Sequence, residues 1–128
     1  MANELILIVE DNEKNRKLVR DILSFKGYQL LESETAEEGI QLARDKLPAL
    51  ILMDFHLPGM NGIEAFKILR ADPLTGSIPI LAVTASAMTE DRQKMLAAGF
   101  DGVQTKPINV KEFLETVAAT LKKHERPA

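Results

Sequence analysis

The sequence predicts a single doubly wound α/β domain, a parallel sheet with helices on both faces. Three observations carry this. Short apolar runs alternate with helical periodicities five times along the chain, which is the pattern of consecutive β/α units. The first, third and fourth runs are apolar almost without interruption, as strands covered on both faces are. The chain has 128 residues, enough for one core of ordinary size without staples.

Each element follows from its own pattern. Leu5 to Val9 is the first strand and runs into Glu10-Asp11. The next stretch places Leu18, Val19, Ile22 and Leu23 on one face of a 3.6-residue period, and Gly27 stops that helix. Tyr28 to Leu31 is a second, more polar strand. Thr35 is an N-cap with Glu38 three residues on, a capping box. Ile40, Ala43 and Leu47 form the inner face of that helix, and Pro48 ends it. The third strand lies in "LILMDFHLPGMNG", Leu50 to Gly62, where an apolar tract ends at Asp54. A helix from Ile63 to Ala71 buries Ile63, Phe66 and Leu69, and Asp72-Pro73 and Gly76 mark a loop. Ile78 to Val83 is the fourth strand, ending at Thr84. A weaker helical pattern runs from Met88 to Ala98 and closes at Gly99. Asp101 to Thr105 is a short, polar fifth strand ending at Lys106-Pro107. The last helix, Val110 to Lys122, carries Val110, Phe113, Leu114, Val117 and Leu121 as a stripe, with Asn109 and Glu112 at its start. The apolar strands one, three and four belong at the centre and the polar strands two and five at the edges. Few strand orders satisfy this, and 2-1-3-4-5 is one of them.

Composition narrows the class. The net charge of −3 and the lack of a basic stripe argue against direct nucleic-acid binding. Lys122, Lys123 and Arg126 read as a solvated basic tail. The chain has no cysteine, so disulfides and thiolate metal sites are excluded. The apolar run at Leu5 is too short for a signal segment or a membrane span. The expectation is a cytoplasmic protein with no membrane partner, residues 1–124 forming the domain and 125–128 a short tail.

The chemistry gathers at the strand ends. Glu10 and Asp11 follow strand one, Asp54 follows strand three, Thr84 strand four and Lys106 strand five. In sheets of this class, ligands bind at the carboxyl ends of the strands, near the switch point. Carboxylates brought within a few ångströms repel and raise one another's pKa. A hard cation such as Mg²⁺ relieves this, taking one or two carboxylates with water and phosphate oxygens. A carboxylate that stays ionised beside it can attack phosphorus to form an aspartyl phosphate. Lys106 would supply positive charge to the phosphoryl oxygens and Thr84 a hydroxyl donor, with further N–H groups after Asp54 and Thr84.

Four motifs occur in order: Glu10-Asp11, "LILMDFHLPGMNG" around Asp54, "AVTA" around Thr84 and "TKP" around Lys106. In combination they resemble the receiver domain of bacterial two-component response regulators, over essentially the whole chain. The resemblance implies a flavodoxin-like (βα)5 fold with five parallel strands in the order 2-1-3-4-5, the order of the family's chemotaxis member. It implies that Asp54 accepts a phosphoryl group from a histidine kinase or histidine phosphotransfer protein. It further implies Mg²⁺ held by Asp11, Asp54 and the His56 backbone carbonyl, with Glu10 acting through water. Thr84 and Lys106 would contact the phosphoryl oxygens, and Lys106–Pro107 would be a cis peptide. The output would leave through the face of the fourth helix, fifth strand and last helix, and a phosphorylation-dependent dimer is compatible with it. No output domain fits after Lys122, which suits a stand-alone receiver, although a fragment of a larger regulator has the same sequence.

Two positions depart from the family pattern. His56 stands two residues after the acceptor, either as a solvated loop residue or as a group over the aspartyl phosphate. Val103 stands where similar domains often carry an aromatic partner for the switching threonine. Two other readings compete. An aspartate-nucleophile phosphatase of the haloacid-dehalogenase type needs a second Asp where His56 stands, and usually a cap domain. A receiver-like scaffold that works without phosphorylation would have no use for the acids, Thr84 and Lys106 together.

Overall fold

The computed structural model describes residues 4–54, 57, 59–60, 62–84, 89–105 and 108–123, apart from the side chains of 89–92. His56, Met88, Lys106 and Pro107 lie outside the described residues. The elements alternate as predicted: β1 Leu5–Val9, α1 Glu13–Phe25, β2 Gln29–Ser33, α2 Ala36–Lys46, β3 Leu50–Asp54, α3 Gly62–Ala71, β4 Ile80–Thr84, α4 Thr89–Ala98, β5 Gly102–Thr105 and α5 Val110–Lys123. All strand pairs are parallel, and the order is β2-β1-β3-β4-β5. This is the flavodoxin-like order.

The alternation of side chains along each strand divides the core into two layers. Leu7, Ile51, Met53, Ile80 and Ala82 point to the face covered by α2, α3 and Met95 of α4. Ile6, Ile8, Leu50, Leu52 and Leu81 point to the face covered by α1 and α5, against Leu23, Phe113 and Val117. The central strands β3 and β4 are buried along their whole length, whereas β2 and β5 are partly open, as edges are.

The helix starts match their caps. Asn12 Oδ1 accepts from Asn15 N–H at 3.1 Å, Thr35 Oγ1 from Glu38 N–H at 3.1 Å, and Asn109 Oδ1 from Glu112 N–H at 3.0 Å. At α2 the Thr35 N–H is taken by Ser33 Oγ at 3.3 Å, so the returning half of the expected capping box falls to a residue of β2. Gly27, at φ 90°, ends α1 in a conformation that L side chains rarely adopt.

Several boundaries and faces differ from expectation. β2 begins at Gln29 and extends to Ser33, because it pairs with the full length of β1. β4 begins at Ile80 and includes Thr84, because Ile78 and Pro79 complete the turn after α3, with the Ile78 N–H on the Thr75 carbonyl at 3.0 Å. Leu47 is not on the inner face of α2. It is the C-cap in a left-handed conformation, φ 49°, and half of it is exposed. Val110, at the first turn of α5, is also half exposed rather than part of the buried stripe. Ile63 is only half-buried, while Phe66 and Leu69 are buried.

Candidate functional site

The register brings the acids together. Val9 of β1 lies against Met53 of β3, so the residues that follow, Glu10 and Asp54, leave the sheet side by side. Asp54 in turn lies against Val83 of β4, and Thr84 comes one residue further out. Carboxylate oxygens of Glu10, Asp11 and Asp54 all lie within 4.8 Å of one another. Asp11 is exposed, but Glu10 and Asp54 are about as buried as the core, at 4% and 5% exposure. Thr84 is fully buried at the end of β4, opposite Thr105 of β5. Four of the predicted site residues therefore sit at the carboxyl end of the central strands. Lys106 and His56 lie outside the described residues.

Glu10 is held on several sides. Its N–H donates to the Ser33 carbonyl of β2 at 3.0 Å, and its Oε2 accepts from Asn12 N–H at 3.2 Å. Its own carbonyl accepts from Arg16 Nη1 at 2.9 Å. Asn12 thus serves twice, capping α1 with its side chain and steadying Glu10 with its backbone. Sequence reasoning missed Ser33, Asn12 and Arg16 because each acts on or through the backbone, which carries no motif. Gly39 of α2 has a legible signal, a glycine inside a helical pattern. A Cβ there would come within 2.7 Å of Val9 Cγ2, so α2 lies close on the end of β1, just before the acids.

The donor set fits a hard divalent cation. Ligand atoms on one octahedral Mg²⁺ at ~2.1 Å are at most about 4.2 Å apart. A group spanning up to 4.8 Å suits direct ligation by some of the carboxylates and a water bridge to the remainder. Burial raises the cost of leaving such charges together without a cation.

The family model of the response regulator receiver domain matches residues 6–118. The chain belongs to this family. The receiver domain is similar to the polar-differentiation response regulator DivK of Brucella ovis, 41% identical over 116 residues, covering 91% of this chain and 94% of that one. The same protein of Brucella abortus matches equally well, at 41% identity over the same shares of the two chains. Among solved structures, a CheY-like receiver domain protein of Methanospirillum hungatei superposes with a TM-score of 0.87 at 30% identity, covering 96% of this chain and 97% of that one. The receiver domain of sensor histidine kinase PA1611 from Pseudomonas aeruginosa superposes with a TM-score of 0.87 at 30% identity, covering 94% and 99%. That structure carries a magnesium ion coordinated in its active-site cleft. Membership of this family sets aside the phosphatase alternative, whereas a receiver-like scaffold that works without phosphorylation belongs to the same family. Among the described residues, no helix is long and apolar enough to cross a membrane.

Proposed function

We propose that Asp54 is the phosphoacceptor of this receiver domain and that Glu10, Asp11 and Asp54 form its Mg²⁺ site. One observation carries the reading: a buried aspartate at the end of the central strand β3 shares a 4.8 Å cluster with the acid pair that follows β1. Mg²⁺ at this site offsets negative charge on the carboxylates and on the incoming phosphoryl group. The His56 carbonyl is proposed as a further ligand, with Glu10 contributing through water.

The chain's own residues supply the rest. An Asp54 oxygen attacks phosphorus, a P–O bond forms, and the bond from phosphorus to the donor histidine nitrogen breaks. Thr84, the last residue of β4, would donate its hydroxyl to a phosphoryl oxygen, and Lys106 would supply positive charge to another. Hydrolysis reverses the state when water attacks phosphorus and phosphate leaves, restoring the carboxylate. The chain would promote only its own phosphorylation and dephosphorylation, in the cytoplasm, with a histidine kinase or histidine phosphotransfer protein as donor. Residues 1–124 would form the receiver unit and 125–128 a tail.

The output is proposed to leave through α4, β5 and α5, with or without dimer formation. Val103 packs against the core layer under α2 and α3, level with Ala82, two residues before Thr84 on the neighbouring strand. It is half-buried and, as valine, stiff at χ1, so no aromatic ring can swing there. Incubation of the Asp54→Asn variant with Mg²⁺ and acetyl phosphate tests the assignment. Wild type should gain one phosphoryl group by intact mass and the variant none. Stoichiometric labelling of the variant would move the acceptor elsewhere.

A further inference from the structure

Arg16 of α1 stands beside the acid cluster with each guanidinium nitrogen engaged. Nη1 donates to the Glu10 carbonyl at 2.9 Å, Nη2 meets Glu34 Oε1 at 3.2 Å, and Nε meets Glu32 Oε1 at 3.4 Å. The side chain is only 12% exposed. Arg20 Nη1 adds bonds of 3.1 and 3.3 Å to the two oxygens of Glu32. Two guanidinium groups and two carboxylates therefore balance. The network sits next to a cation site, yet it carries no net positive charge that would repel a cation.

Three carboxylates in a small volume push one another apart. Glu10 has the longest side chain of the three and could swing away most easily. Its peptide is pinned on both sides, by Ser33 on the N–H and by Arg16 on the carbonyl. We infer that Arg16 is a positioning residue for the cation site: its three-way hold from Glu10 to Glu32 and Glu34 keeps the Glu10 carboxylate against Asp11 and Asp54. The inference rests on the reading of that cluster as a Mg²⁺ site. A planar fork is needed, because a lysine ammonium is a single point of charge and cannot bridge a carbonyl and two carboxylates in this geometry.

Positioning and simple electrostatics predict opposite signs. If Arg16 acted only as a nearby positive charge, removing it would tighten cation binding. As a positioning residue, its loss loosens binding despite the charge removed. The experiment is a Mg²⁺ titration followed by amide chemical shifts in wild type, Arg16→Met and Arg16→Lys. Methionine keeps much of the aliphatic stem. The expected dissociation constants are weaker by roughly tenfold for Arg16→Met, the low end for partners that orient metal ligands, and by roughly threefold for Arg16→Lys, which keeps the charge and loses the fork. At saturating Mg²⁺, labelling by acetyl phosphate should return to the wild-type rate in both variants. Tighter or unchanged binding in Arg16→Met overturns the inference, as does a labelling defect that Mg²⁺ does not overcome. If Arg16→Met fails to fold, Arg16→Lys decides alone, and unchanged affinity there overturns the inference. A flat titration of the wild-type chain is a separate result that overturns the Mg²⁺ reading itself and the inference with it.

Discussion

At the amino end of the sheet, Asp101 Oδ2 accepts from the Ile80 N–H at 2.7 Å and from Arg70 Nη2 at 2.8 Å. Arg70 also donates to the Ile78 carbonyl and lies 4.8 Å over the Phe66 ring, which stacks on Phe100. At the carboxyl end, Glu10, Asp11 and Asp54 crowd together, and the nearby Arg16 is engaged with a backbone carbonyl and two other glutamates. The amino end pairs opposite charges and ties the start of β5 to α3 and β4. The carboxyl end gathers like charges and holds them there by the backbone. One end pairs opposite charges across the sheet, whereas the other groups three carboxylates that the proposed cation would offset, a contrast between scaffold and candidate site.

Breaking the amino-end pair should have the largest effect on stability. Asp101→Ala leaves a guanidinium and the Ile80 N–H without this acceptor. The expected loss is about 2–3 kcal/mol by urea denaturation, below the range for fully buried pairs because both side chains are partly exposed. Mg²⁺ affinity should stay within about twofold of wild type, since contributions from separated sites are nearly independent. A loss under about 1 kcal/mol would remove the contrast between the two ends.

The carboxyl end should respond with the opposite sign. Asp54→Asn abolishes labelling but relieves repulsion, and is expected to raise stability in the absence of Mg²⁺ by about 1–2 kcal/mol. In wild type, Mg²⁺ at ten times its dissociation constant should stabilise the fold by about 1.4 kcal/mol, and the variant should lose most of that gain. Thermal melts with and without Mg²⁺ read both. A variant less stable than wild type without Mg²⁺ would show that the cluster is not strained.

Leu47 sharpens the comparison from the amino end. It holds a left-handed backbone at φ 49° immediately before Pro48, with half its side chain exposed. Strain here has no ligand to relieve it. Leu47→Gly is expected to raise stability by about 0.5–1 kcal/mol, measured by the denaturation midpoint, because little burial is lost and the strain is removed. A destabilised variant would mean that the Leu47 side chain contributes more than its backbone costs.

The smallest effect belongs to an exposed pair on α1. Lys17 Nζ lies 2.7 Å from Asp21 Oδ2, and that hydrogen bond holds the Asp21 carboxyl below its ordinary value of 3.8. A lowered folded-state pKa contributes stability that is present above the ordinary value and lost as pH falls through the lower one. Asp21→Asn should therefore lower stability slightly at neutral pH, where the ionised pair contributes, and the difference from wild type should vanish at acid pH, where Asp21 is itself protonated. A difference that persists at acid pH, once Asp21 is protonated, would show that the side chain does more than hold the ion pair.

Much of the molecule was legible from local pattern. Strand and helix alternate with different periods, so five β/α units could be read directly, and uninterrupted apolar runs marked β1, β3 and β4 as central. The acid pair, Asp54, Thr84 and Lys106 could each be located at a strand end, because a polar residue closing an apolar run is a local signal. The tertiary structure decided what these residues do to one another. That Val9 lies against Met53, and so Glu10 beside Asp54, depends on pairing between distant segments, and a shift of one residue would send a side chain to the other face. That Arg16 reaches the Glu10 carbonyl could not be read, because every residue offers the same carbonyl and only the packing of α1 on β1 and β2 selects one. Leu47 and Val110 obeyed the helical period but fell at the ends of their helices, where the chain turns out of register with the core. Periodicity is a property of neighbours along the chain; register, reach and helix ends are set by the segments packed against them.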